Sequence, residues 1–545
     1  MSDRFDFVII GAGTAGSILA NRLSADGRYS VCVLEAGGRD WHPFVHIPAG
    51  FMKTLTDGRV NWLYATEPGD HIGGRVIHAP RGKLLGGSSA INGHIYNRGQ
   101  RLDYDGWAQR GNRGWSYADV LPYFQRSERR LPGPDASADP QFRGQDGELP
   151  VTDLNWRHPL CEAFIAGAVA AGLPRNPDYN GADQAGVGYF QRAIHARRRV
   201  SAGRAFLHPA MRRPNVTVRT RALAETLILE DGRAVGVRYR RGGRQEEVRA
   251  GNSVVLSGGA VNSPQLLQLS GIGAAELLQR HGIAVQHHLP GVGENLRDHF
   301  GPRVVARVRE QGTINERARG LALLGEIGSY FLGGQSILSL QPSLVFCFWK
   351  SHEALQHCDL QMTFTPASYK EGVQAQLDDF PGMTCAPWPH RPESTGHVRL
   401  RSSDPNEAPE IQPNYLSDDG DRRVTVAGVR LARRLLSTPA LSAYHDGEEL
   451  PGPGVESDDE ILDFARQRGT TMFHLMGTCR MGPADDAGAV VDDRLKVHGI
   501  EGLCVADASI MPTMPSANTN AATMMIAEKA ADLLLEREPP PPAAL

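Results

Sequence analysis

The chain alternates short apolar runs with glycine-rich breaks, and the runs set its expected elements. Phe5 to Ile10 is largely apolar and partly β-branched, the pattern of a buried strand in a parallel sheet. Ser17 to Leu23 is predicted to be a helix, and Tyr29 to Leu34 a second strand leading into Glu35. Periodicity then fades through Gly37-Gly38, Trp41-His42-Pro43 and Ile47-Pro48, which predicts a long extended excursion. Residues 216–239 predict a β-meander: Val216 to Val218, Leu223 to Leu229, a turn at Asp231-Gly232, then Val235 to Tyr239. Ser253 to Leu256 is a further buried strand, leading through Gly258-Gly259 into a helix that runs to Leu269 and stops at Gly271. Near the end, Leu503 to Val505 reads as a strand with Asp507 just past it, and Asn520 to Leu534 as a strong helix.

Residues 306–478 have another texture, with short strands among helices and loops and with aromatics at Phe346, Phe348, Trp349, Phe364 and Trp388. These aromatics fit a substrate pocket and a domain core equally well. The expected division is a discontinuous cofactor domain (1–155, 200–305 and 480–537) and an interleaved substrate domain (156–199 and 306–479). The Pro-rich end, 538–545, is expected to be disordered.

Composition narrows the class. At 545 residues the chain exceeds one ordinary core, so two joined domains are expected. A net charge of -3 supplies no basic excess for nucleic acid. Arg197-Arg198-Arg199 and Arg238-Tyr239-Arg240-Arg241 read as solvated surface, with a phosphate or anionic-lipid site as the alternative. Seven scattered cysteines without a C-x-x-C pair argue against a disulfide framework or zinc site and fit a reducing compartment. No leader is apparent before the first strand, and no apolar run reaches the roughly 18 residues of a membrane span. The expected location is cytoplasmic, with peripheral membrane contact left open.

The candidate chemistry starts at Gly11, Gly13 and Gly16, which follow the first strand at G-x-G-x-x-G spacing and enclose Thr14 and Ala15. The first glycine permits the tight turn, the second lets backbone approach a pyrophosphate, and the third lets helix pack on strand. Glu35 stands about 20 residues on, where a carboxylate grips ribose hydroxyls. A second Gly-rich stretch, Pro80 to Gly93, contains Arg81, Gly86, Gly87, Ser88, Asn92 and Gly93, and its composition suits close approach to a flat ring or phosphate. No metal site is expected. His42 and His46 stand four apart, but Pro43 argues against the helix that would aim both at one ion.

Five ordered blocks resemble the glucose–methanol–choline (GMC) oxidoreductases, FAD-dependent alcohol oxidases and dehydrogenases that include choline dehydrogenase-like members. They are Gly82 to Asp105, Gly259 to Gly273, Gly291 to His299, His474 to Gly482 and Val505 to Lys529. The resemblance implies an α/β fold: a Rossmann-type FAD-binding domain and an interleaved α+β domain on an antiparallel sheet. It implies that Gly86 to Ser88 and Asn92 lie along the flavin. Asp507, Asn518 and Thr519 would hold its ribityl and pyrophosphate region. His474 matches the family's active-site histidine, and Asn518 its partner. Some members carry a flavin-linking His immediately before the signature Asn; this chain has Ile91 there, so non-covalent FAD is expected. His94 and His498 are expected to be structural, and His299 to hold a loop near the flavin.

The implied reaction oxidises a primary alcohol, aliphatic or aryl and of medium size, to an aldehyde. A hydride passes to flavin N5 and His474 takes the hydroxyl proton. Asn518 donates a second hydrogen bond to the oxygen. Partners are the alcohol and an electron acceptor, a quinone-like carrier or O2. The same fold hosts two alternatives, a flavin-containing hydroxynitrile lyase and a light-driven fatty-acid decarboxylase.

Overall fold

A computed structural model describes residues 3–133, 138–370 and 376–545. In chain order its main elements are β1 (Asp3–Ile10), α1 (Thr14–Leu23), β2 (Val31–Glu35), α2 (Pro159–Ala170), β3 (Gly186–Tyr189), β4 (Val216–Thr220), β5 (Ala222–Glu230), β6 (Arg233–Arg241), β7 (Arg244–Leu256) and α3 (Gly259–Leu269). There follow β8 (Val304–Val308), α4 (Gly320–Leu332), β9 (Val345–Trp349), β10 (Leu360–Thr365), β11 (Gly382–Pro389), α5 (Asp419–Leu436), β12 (His445–Leu450), β13 (Leu503–Val505) and α6 (Thr519–Leu534).

The first sheet runs β4-β2-β1-β7, with β13 beyond one half of β7 and the β6-β5 hairpin beyond the other. β4, β2, β1, β7 and β13 pair in parallel, so their C-terminal ends share one edge. In such sheets ligands bind at that edge. The C-terminal half of β1 and the whole of β2 are buried, because α1 and α6 pack together over this region and close the core. The expected meander is corrected here. β4 pairs in parallel with β2 and not with β5, since its residues continue the nucleotide-binding sheet and only β5 and β6 form a hairpin.

The second sheet is antiparallel, in the order β12-β8-β11-β10-β9-β3. α2 and α5 cover one face, where Leu360, Met362 and Phe364 of β10 meet Met383 and Cys385 of β11. Alternation sends Thr363, Thr365, Thr384, Ala386 and Trp388 to the opposite face. Phe346 and Phe348 pack with Tyr179 and Phe190 in a closed aromatic cluster. Phe364 stacks on Phe164 at 4.3 Å between centroids. These three are core, and of the aromatics singled out by sequence Trp388 alone lines the cavity described below.

Three local expectations change. Pro43 to His46 does form one helical turn, because proline is tolerated at the first helical position; His42 stays outside it and bonds Arg59 and Asp57. No group of three or more potential metal ligands forms among the described residues. Arg199 is buried and not surface. Its guanidinium donates to the carbonyls of Val45 (3.0 Å), Ser89 (3.3 Å) and Asn92 (2.7 Å) and to Asn92 Oδ1 (2.9 Å). The C-terminal tail lies on the protein: Ala543 N–H donates to Ala118 O at 2.9 Å, and Gln141 Nε2 to Ala544 O at 2.8 Å. Among the described residues no helix is long and apolar enough to cross a membrane.

Candidate active site

A cavity of about 410 Å³ is lined from both domains. At one end lie the first Gly-rich turn and the edge of the parallel sheet. Gly11 has φ +101°, and a Cβ there would overlap Ser257 O, so only glycine fits. Gly87, with φ +51°, would bring a Cβ to 2.7 Å from Gly13 Cα. The two Gly-rich loops therefore touch backbone to backbone, tied by Gly86 N–H to Ala12 O at 2.8 Å. Glu35 accepts Ala12 N–H (2.9 Å) and Gly37 N–H (2.7 Å), and burial pushes its carboxyl up to about 7. Asp507 accepts Gly259 N–H (2.8 Å), Ser263 Oγ–H (2.6 Å) and Ser509 N–H (2.8 Å), which fastens the start of α3 to the end of β13. Thr14 Oγ1 meets Asn520 Oδ1 at 2.9 Å, so the N-termini of α1 and α6 face the same space. Their dipoles and free N–H groups favour negative charge there.

Gly11, Gly13, Thr14, Ala15, Glu35, Arg81, Gly87, Ser88, Asn92, Gly93, His474, Asp507, Asn518 and Thr519 all line this cavity. Gly16 and Gly86 do not. Gly16 is spent on packing, since a Cβ there would overlap Gly11 O, and Gly86 lies one layer behind Gly87. Arg81 places Nε and Nη2 in buried positions with no hydrogen-bond partner among the described residues. Burial lowers its pKa, against the Asp298 charge. Ile91 and His94 also line the cavity; His94 Nε2 lies 3.0 Å from Pro48 O.

At the other end stands a chain of hydrogen bonds that sequence reasoning read only in part. His474 Nε2 lies 2.9 Å from Asn518 Nδ2, and His474 Nδ1 lies 2.9 Å from His299 Nδ1. His299 Nε2 lies 2.7 Å from the carbonyl of His390. A carbonyl only accepts, so His299 Nε2 carries the proton. Neutral His299 then accepts at Nδ1, and His474 Nδ1 donates to it. His474 Nε2 is left with its lone pair toward Asn518. Burial, with the nearby His299 and Arg81, holds His474 well below the usual histidine pKa. Burial likewise pushes His299 down to about 4. Both rings are neutral at pH 7. Asp298 sets the backbone: its carboxylate accepts His474 N–H (2.6 Å), Tyr415 OH (2.6 Å) and Thr471 Oγ1–H. His299 and Asp298 sit side by side in Gly291 to His299, so the block itself was the available signal. Arg303, Thr363, Thr365, Tyr369 and Thr384 line the same end and were missed; the period-2 polar face of β10 was the signal for two of them.

Family models described as GMC oxidoreductase match residues 5–301 and 392–527. The chain belongs to the GMC oxidoreductase family. Among curated relatives of this GMC oxidoreductase, the oxygen-dependent choline dehydrogenase of Staphylococcus saprophyticus is 40% identical over 550 residues, covering 99% of this chain and 96% of the relative. The Staphylococcus aureus (strain N315) protein of the same description is also 40% identical, over 552 residues, with 98% and 94% covered. Among solved structures, pyridoxine 4-oxidase from Mesorbium loti is 30% identical with a TM-score of 0.86, covering 98% of this chain and 99% of that one. Aspergillus oryzae formate oxidase is 25% identical with a TM-score of 0.90 and the same coverage. GMC oxidoreductases bind FAD, and this one is an FAD-dependent oxidoreductase acting on CH–OH donors. The cavity fits that cofactor: the glycine contact of the two loops, the paired helix N-termini and the orphaned Arg81 nitrogens suit an anionic dinucleotide.

Proposed function

We propose that this enzyme oxidises a primary alcohol, aliphatic or aryl, to the aldehyde with non-covalently bound FAD, and that His474 is the base. The observation that carries the reading is the chain His390 O, His299, His474, Asn518, which leaves His474 Nε2 as a neutral acceptor at the cavity wall. FAD, when bound, supplies the two-electron acceptor for the hydride of the carbinol carbon. Gly11, Gly13, Thr14, Ala15, Glu35, Arg81, Gly87, Ser88, Asn92, Gly93, Asp507 and Thr519 hold the cofactor. The substrate hydroxyl takes the place of Asn518 Nδ2–H at the single lone pair of His474 Nε2, which then accepts the hydroxyl proton, and the released Asn518 Nδ2–H donates to the oxygen as negative charge develops on it. His299 keeps the imidazole in the tautomer this requires. Ile91, at the position where other members place a linking histidine, offers no nucleophile to the cofactor.

The test is His474→Ala. It retains FAD and loses alcohol-driven flavin reduction by about 10²–10⁴-fold, the usual span of general-base catalysis. Full turnover in this variant refutes the assignment. The electron acceptor is a quinone-like carrier or O2, and paired assays with a dye acceptor and with O2 separate them.

We also propose peripheral contact with an anionic membrane surface. α4 is apolar yet exposes Leu321 (86%), Leu324 (63%), Phe331 (71%) and Leu332 (90%). Arg197 and Arg198 are exposed beside its Tyr330, and neither has an ion-pair partner among the described residues. Exposed apolar side chains rimmed by free arginines match the requirements of an anionic lipid interface.

A further inference from the structure

The cavity contains a cation that the chemistry above does not use. Arg303 lies between the strand Phe300–Gly301 and β8, on the polar face of the antiparallel sheet. β8 pairs with β11 at Val304 and Cys385, so Arg303 stands near Ala386 on the face that also carries Thr384 and Trp388. Its guanidinium lies over the Tyr369 ring, 5.1 Å from the centroid. Among the described residues it has no carboxylate within ion-pair distance and no hydrogen-bond acceptor. Burial lowers its pKa, with Tyr369 and Asp378 acting weakly in the other direction.

A half-buried, unpaired guanidinium is costly unless something fills it. The cofactor loops do not explain it, because Arg303 belongs to the substrate domain's sheet. Nor do the described lining residues offer a counter-ion. The acidic ones are Glu35 and Asp507, both at the nucleotide end and both occupied by N–H or O–H donors. The same facts disfavour a cationic alcohol: it would meet Arg303 with no carboxylate among the described lining residues at that end, and the Tyr369 face is already taken. Ser343 and Thr363 line the same cavity with hydroxyls suited to an oxyanion, whereas the Tyr369 hydroxyl donates to Pro342 O at 3.3 Å.

Resting on the proposed alcohol oxidation, we infer that Arg303 binds a carboxylate carried by the substrate, making the enzyme selective for hydroxy acids whose primary alcohol reaches His474. The guanidinium is planar and offers two parallel N–H donors, which match a carboxylate in bidentate fashion. The carboxylate takes no part in the reaction. It anchors the far end, so that binding energy there orients the carbinol at the base.

The first test uses binding without turnover. FAD-loaded enzyme is titrated with benzoate and with its neutral counterpart benzamide, and perturbation of the flavin band is followed. Benzoate is expected to bind at least about tenfold more tightly than benzamide, the scale of one charge-assisted hydrogen bond. Arg303→Met should abolish that preference while keeping flavin content, and Arg303→Lys should restore part of it. The second test compares kcat/KM for 4-(hydroxymethyl)benzoate and its methyl ester. The acid should be favoured in the wild type, and the ratio should collapse toward one in Arg303→Met.

Equal binding of benzoate and benzamide, or an undiminished preference in Arg303→Met, overturns the inference. Tighter binding of inorganic phosphate than of benzoate overturns the choice of carboxylate. Arg303-dependent benzoate binding with no alcohol able to reduce the flavin would sink the oxidation reading and leave the anion site standing. Flavin reduction by neutral alcohols alone would do the reverse.

Discussion

His299 never meets the substrate in this account, yet replacing it should slow the reaction. His299→Leu removes the acceptor of His474 Nδ1–H, now 2.9 Å away, and also leaves the His390 carbonyl unpaired. Only the first loss acts on the base. An orphaned buried donor costs about 1–3 kcal/mol, which is roughly 5- to 150-fold in rate if borne by the reactive tautomer. The variant also changes the pH profile. Burial first, then His299 and Arg81, keep His474 well below the ordinary value. The neutral imidazole is the active form, so wild-type activity should be flat through neutrality and fall only as pH drops well below 6.5. Removing His299 removes one depressing influence, so the acid limb moves to higher pH. The assay is anaerobic rapid mixing with saturating alcohol, following loss of the oxidised-flavin band from about pH 5 to about pH 8. His299→Asn, which can present an amide oxygen to Nδ1–H, should recover part of the rate. A His299→Leu enzyme with wild-type rate and an unmoved acid limb would refute the relay.

Other expectations follow from the same geometry. Gly87→Ala forces a Cβ to 2.7 Å from Gly13 Cα at a left-handed φ, so the purified protein should lose FAD, read as its flavin-to-protein absorbance ratio. Burial raises Glu35 from 4.5 to about 7, so its contribution to stability is fully present below pH 4.5 and is lost as pH rises through about 7. The apoprotein's Tm should therefore fall more steeply over that window in wild type than in Glu35→Gln; parallel curves would count against a raised carboxyl. Wild-type protein should co-sediment with vesicles containing phosphatidylglycerol more than with phosphatidylcholine alone, and Leu324→Glu with Phe331→Glu should abolish the difference. A concentration-dependent dimer removed by the same substitutions would instead assign that face to a second copy.

Much of the nucleotide end was legible because its constraints are local. A strand, three spaced glycines, a helix and an acidic residue state the turn chemistry directly, and the structure brings all of it to one edge of one sheet. The errors arise where distant segments decide. β4 reads like the start of a meander, since nothing in Val216 to Val218 reveals that Val31 to Glu35 is its neighbour. Arg199 reads like its exposed neighbours, because its four acceptors come from Val45, Ser89 and Asn92. Phe346, Phe348 and Phe364 advertise a pocket by composition but fill cores, while hydroxyls and Arg303 line the substrate end. His474 and Asn518 were accessible through motif resemblance alone. Their partner His299 was visible in the sequence, but its bond to His474 spans 175 residues and no spacing rule reaches that far.

The most direct test of the central claim is an anaerobic visible spectrum of the FAD-loaded enzyme before and after addition of primary alcohols, run beside His474→Ala. A primary alcohol is expected to bleach the wild-type flavin within the mixing experiment, while the variant stays yellow with its FAD still bound. A wild-type flavin untouched by every alcohol, or one bleached equally fast without His474, would contradict it.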